Sequence, residues 1–128
     1  MARILVVDWE EEERVYLWDI LEDAGHDLLF AADGQAALEV WSGRDIDLVI
    51  TELYLPELNG LRLIKELKTR DPDTLILAIS EISADQLDLA EDYGACHILY
   101  KPVDPPTLLN GVTRALENYR PIRRYDWK

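Results

Sequence analysis

A chain of 128 residues that is 48% hydrophobic and 30% charged has the make-up of one soluble globular domain, able to bury roughly 65–70% of its unfolded surface and too apolar for disorder. Its net charge of -13 and pI near 4.4 work against direct binding to a nucleic-acid backbone or an anionic membrane. A lone cysteine, Cys96, excludes an internal disulfide, and no stretch resembles a signal peptide or the roughly 18 apolar residues of a spanning helix, so the expected location is cytoplasmic.

Arg3 to Val7 (RILVV) is a short, β-branched apolar run that ends in an acid, Asp8. Glu10 to Glu13 load the first turn of a helix, where the macrodipole favours negative charge. Leu17, Ile20, Leu21 and Ala24 then recur at helical spacing, and Gly25 closes the helix. His26 to Ala32 reads as a strand with Asp33-Gly34 as the break after it, and Gln35 to Trp41 as a short helix.

Asp47 to Leu53 is the third strand. Leu48, Val49 and Ile50 make a continuous apolar block, the pattern of a strand buried on both faces, and Glu52 sits at its exit. After the turn LPELNG, Leu61, Ile64, Leu67 and Lys68 return to helical spacing until Arg70-Asp71-Pro72. Thr74 to Ile79 is a fourth buried strand leading into Ser80. Ser83 and Gln86 have capping-box spacing before a helix from Ala84 to Tyr93, stopped by Gly94. His97 to Tyr100 is the fifth strand, cut off by Lys101-Pro102, and Asp104-Pro105-Pro106 starts a last helix that runs to about Tyr119.

Five strands alternating with five helices predict right-handed βαβ units around one parallel sheet, a three-layer α/β sandwich. One domain covers residues 1–119. Residues 120–128 form a basic, aromatic tail or the start of a linker, with four cationic side chains against Asp126, a net +3 that leaves -16 on the rest.

In such a sheet ligand-handling groups gather outside the carboxyl ends of the strands. Asp8, Glu10, Glu52, Ser80 and Lys101 therefore converge although they are scattered in sequence. Carboxylates crowded together repel unless a lysine or a divalent cation offsets their charge. Acids beside a lysine and a hydroxyl suit phosphoryl chemistry, with an acid as acceptor, Mg²⁺ to neutralise and lysine to hold the oxygens. His26, His97 and Cys96 lack metal-ligand spacing, and Trp18 and Trp41 read as packing residues.

ILVVD at the first strand, DLVITELYLPELNG at the third, AIS at the fourth and YKP at the fifth together resemble the receiver domain of bacterial two-component response regulators, from Ala2 to about Tyr119. The resemblance implies a flavodoxin-like doubly wound sheet in the order 2-1-3-4-5, a phosphate-contacting role for Lys101, and a cis bond at Lys101-Pro102. It also implies a signalling module rather than an enzyme. Three positions depart from the family pattern. Glu52 stands where the phosphoacceptor aspartate belongs, Trp9 where the second acid binds Mg²⁺, and Ile98 at the switch aromatic; Ser80 and Lys101 fit.

These departures predict a degenerate site. Glu52 carries one more methylene than aspartate, Trp9 offers no oxygen, and Mg²⁺ demands near-octahedral oxygens at about 2.0–2.1 Å. Any metal site is expected to be weak or absent, limited to Asp8 and Glu52. Glu52 then acts as a fixed charge paired with Lys101, or as a remnant in a pocket that no longer switches, and the fixed state is the favoured reading. The alternative is a working phosphoacceptor that uses Glu52 with Mg²⁺; more remote is a small-ligand enzyme, against which stands the lack of a glycine-rich loop at Asp8-Trp9-Glu10-Glu11. The implied partner is a protein, a sensor kinase or an output domain, met on the fourth helix, fifth strand and fifth helix. Asp85, Asp88, Glu91 and Asp92 make that helix acidic, Tyr100 is a candidate surface aromatic, and Tyr125 and Trp127 are candidate anchors in the tail. Dimerisation is left open.

Overall fold

A computed structural model describes residues 2–81 and 84–118 of the chain. Ser83, the end of the last helix at Tyr119 and the tail lie outside the described residues, as do the expectations placed on them.

The elements alternate without exception: β1 (Arg3–Val7), α1 (Glu11–Asp23), β2 (Asp27–Ala31), α2 (Gly34–Ser42), β3 (Leu48–Glu52), α3 (Gly60–Arg70), β4 (Ile76–Ser80), α4 (Ala84–Tyr93), β5 (His97–Tyr100) and α5 (Pro105–Asn118). The five strands form one parallel sheet in the order β2-β1-β3-β4-β5, the order that the sequence motifs imply. Parallel neighbours need crossovers, and the intervening helices supply them on both faces.

Two cores result, and the pleat divides the strand residues between them. Ile4, Val6, Leu48, Ile50, Leu77, Ile79 and Leu99 point to one face and pack with Leu17 and Leu21 of α1 and Leu108, Val112 and Ala115 of α5. Leu5, Val7, Val49, Ile76 and Ala78 point to the other, against Leu38 of α2, Leu63, Ile64 and Leu67 of α3 and Ala90 of α4. The unbroken apolar runs of β1, β3 and β4 are explained by this two-sided burial. Each fully buried Leu or Ile contributes about 1.5–3 kcal/mol relative to exposure.

Local chemistry sets the helix starts. Asp33, read above as a break, is the N-cap of α2 and accepts the Ala36 N–H at 2.7 Å. Asn59 caps α3 through the Arg62 N–H at 2.9 Å, and Asp104 accepts the Thr107 N–H at 2.9 Å at the start of α5. Gly60 follows for a steric reason. A Cβ there would collide with the Glu52 carbonyl oxygen and the Leu53 Cα, so only glycine lets α3 start so close beneath the end of β3. The Lys101-Pro102 bond is cis.

Candidate functional site

The register of the sheet builds the site. Val7 pairs with Thr51, so Asp8 and Glu52, each one residue further on, leave neighbouring strands side by side. Glu52 pairs with Ile79 and Ser80 with Tyr100, which brings Lys101 to the same edge just beyond. Asp8, Glu52, Ser80 and Lys101 therefore meet at the carboxyl end of the sheet, as their placement at or just after the last residues of β1, β3, β4 and β5 demands.

Lys101 is the hub. Its Nζ lies 2.6 Å from Glu52 Oε1, 3.0 Å from Asp8 Oδ2 and 3.6 Å from Glu13 Oε1. The side chains of Asp8, Glu52 and Lys101 are only 2%, 5% and 10% exposed. Buried charges are tolerated when they are paired and their remaining lone pairs are bonded. Both conditions hold. Glu52 Oε2 accepts the N–H groups of Leu53 at 2.7 Å and Tyr54 at 3.0 Å, and Asp8 Oδ1 accepts the Glu10 N–H at 3.0 Å. Burial alone would lower the Lys101 pKa, but the hydrogen bonds and charges of Glu52 and Asp8 outweigh it and hold the ammonium above the ordinary lysine range.

Around this triad the other expected residues take different parts. Ser80 is fully buried, and its carbonyl accepts the Lys101 backbone N–H at 3.0 Å. Glu10 is brought in through its backbone; its side chain is exposed. Trp9 is 53% exposed, and its indole brings no oxygen ligand to the site. Ile98 is partly buried against the α2–α4 core, and Tyr100 is exposed on the edge strand. Trp18 and Trp41 pack against the two cores as expected, Trp18 also meeting Phe30 edge to face at 6.0 Å.

Two residues of the site escaped the sequence reading. Glu13 was hidden in the run of four acids that suits the first turn of any helix; its placement in the first turn of α1, next to the strand exits, was the only available signal. Arg14 donates from Nη1 to the Asp8 carbonyl at 2.7 Å and covers the Phe30 ring at 5.3 Å, fixing the β1 exit from outside.

A cavity of about 830 Å³ lined by Trp41, Asp45, Asp47, Asp71 and Leu116 opens at the opposite, amino end of the strands and takes no part in this site. Among the described residues no helix is long and apolar enough to cross a membrane.

The response regulator receiver domain family model matches residues 4–113. A response regulator receiver protein of Anaeromyxobacter sp. is 32% identical over 111 residues, which are 86% of this chain and 47% of that protein. Protein PilH of Pseudomonas aeruginosa is 31% identical over 120 residues, 91% of this chain and 98% of the relative. The solved structure of the chemotaxis response regulator CheY4 of Vibrio cholerae superposes with a TM-score of 0.85 at 30% identity, covering 91% of this chain and 99% of that one. The chain thus spans about half of the first of these relatives and nearly all of the other two.

Proposed function

The chain belongs to the response regulator receiver domains of two-component signalling, and within that family we propose a module that acts by binding a partner protein, with phosphorylation lost or much reduced. The observation that carries this reading is the state of Glu52. One carboxylate oxygen is held by the Lys101 ammonium at 2.6 Å and the other by two backbone N–H groups. Phosphoryl transfer depends almost wholly on positioning and electrostatic stabilisation. An acceptor whose oxygens are both engaged, and which is one methylene longer than aspartate, is poorly placed for in-line attack.

Mg²⁺ fares no better with this donor set. Asp8 and Glu52 would be its ligands, yet each of their four oxygens already accepts a hydrogen bond or ion pair, and position 9 offers an indole. Mg²⁺ needs near-octahedral oxygens at about 2.0–2.1 Å. The pocket as built suits a fixed charge better than a metal-assisted switch, and the aliphatic Ile98 in place of a switch aromatic supports the same reading.

The partner surface we propose is the face of α4, β5 and α5. Leu89, Tyr93 and Tyr100 are exposed there, and aromatic side chains are favoured anchors of protein interfaces. A sensor kinase or an output domain in the cytoplasm fits this role, and a dimer through the same face is compatible with it.

Intact-protein mass spectrometry after incubation with a small-molecule phosphoryl donor and Mg²⁺ tests the proposal. No mass gain is expected. A gain of one phosphoryl group that disappears in Glu52→Gln would sink it.

A further inference from the structure

Three acidic side chains from three separate elements converge on one ammonium: Asp8 beyond β1, Glu13 in α1 and Glu52 at the end of β3, all on Lys101 Nζ. An ion bridging Asp8 and Glu52 would need Oδ2 of the first and Oε1 of the second, the same two oxygens that face Nζ at 3.0 and 2.6 Å. The remaining oxygens are tied down by the N–H groups of Glu10, Leu53 and Tyr54. We infer that the Lys101 ammonium is the resident cation of this pocket, standing in for the divalent ion, with Glu13 as its third carboxylate; the inference rests on the reading of Glu52 as a fixed, unphosphorylated acid.

The charge count gives the inference a consequence. One ammonium among three carboxylates leaves the cluster net negative, so the acids stay together because Lys101 is there. Without it, three carboxylates on three elements would face one another with no counter-charge, which is the condition under which a divalent cation binds. The wild-type chain should be indifferent to Mg²⁺, and loss of the ammonium should create a Mg²⁺ site where none operated. Glu13, which the sequence pattern does not mark, should strengthen that new site.

Calorimetric titration of Mg²⁺ at constant ionic strength, together with thermal unfolding, tests this on the whole chain as wild type, Lys101→Met and Lys101→Met with Glu13→Gln. The expected result is no saturable binding and no Tm change for wild type, saturable binding for Lys101→Met with a Mg²⁺-dependent rise in Tm, and binding several-fold weaker than in Lys101→Met when Glu13 is also replaced. Saturable wild-type binding as tight as that of the variant overturns the inference, as does a folded Lys101→Met that ignores Mg²⁺. Should Lys101→Met fail to fold, the side-chain NMR signal of the wild-type Lys101 ammonium decides: constancy through a Mg²⁺ titration supports the inference and a saturable shift overturns it. Wild type that binds Mg²⁺ yet gains no phosphoryl mass defeats the resident cation alone, whereas phosphoryl mass on Glu52 defeats the functional reading beneath it.

Discussion

Lys101 reaches past the end of β4 to meet Glu52, two strands away in the sheet, with 2.6 Å between Nζ and Oε1 and almost no exposure to water. The ion pair joins β3 to the β5–α5 loop, and its strength depends on what else holds each partner.

Replacing Glu52 by Gln tests the acidic side. Lys101 keeps Asp8 and Glu13, and a glutamine oxygen can still accept a hydrogen bond, so the expected loss is moderate, about 1–3 kcal/mol. Urea denaturation should show a lower midpoint with an unchanged slope.

Lys101→Met should cost more, about 3–5 kcal/mol, because it strands buried carboxylates without a counter-charge. The pH dependence has a definite sign. The folded pKa of Lys101 lies above the unperturbed 10.5, so its contribution is complete below that pH and is lost only as pH rises through the folded value. The stability gap between wild type and the variant should hold steady from neutral pH to the ordinary lysine range, then close; urea titrations across that range measure it.

His26 supplies a switch in the accessible range. It accepts the Ala2 N–H on Nδ1 at 3.1 Å, and burial holds its pKa below 6.5. A depressed folded pKa means stability that is complete above 6.5 and lost as pH falls through the folded value. The Tm should drop as the pH falls below about 6.5, and His26→Gln should remove that part of the drop.

Gly60→Ala should destabilise by about 2–4 kcal/mol, since its methyl group meets backbone atoms of Glu52 and Leu53. Gly43→Ala is the control, with open space around its Cβ position and a negative φ, and should change stability by less than about 1 kcal/mol. Chemical denaturation of the pair separates the steric effect from the general cost of replacing glycine.

Much of this was legible in the chain because burial on two faces writes itself as a continuous apolar run. RILVV, LVIT and ILAI could hardly be anything but interior parallel strands, and once those are placed the acids after them have one edge to occupy. The bounds moved by only a residue or two, as at Asp27–Ala31 and Ile76–Ser80. What the sequence hid was direction. Consecutive residues at a strand exit tend to point opposite ways, and here Asp8 is buried while its neighbour Trp9 is more than half exposed, a division that the residue types alone do not give. Glu13 was obscured by its three acidic neighbours: which of four consecutive glutamates faces the sheet edge depends on the rotation of α1, fixed by Leu17 and Leu21 against the core.

The first and last helices share one face of the sheet, and the Tyr16 hydroxyl of α1 donates to the Val103 carbonyl, in the loop that leads into α5, at 2.7 Å. During synthesis, the core beneath α2, α3 and α4 can close once β4 and α4 have emerged, but Leu17, Leu21 and the strand residues facing them remain uncovered until Leu108, Val112 and Ala115 arrive. The nascent chain must therefore carry a half-built, water-exposed apolar face until α5 has been made, and a stop codon before α5 would leave a product marked for aggregation or degradation.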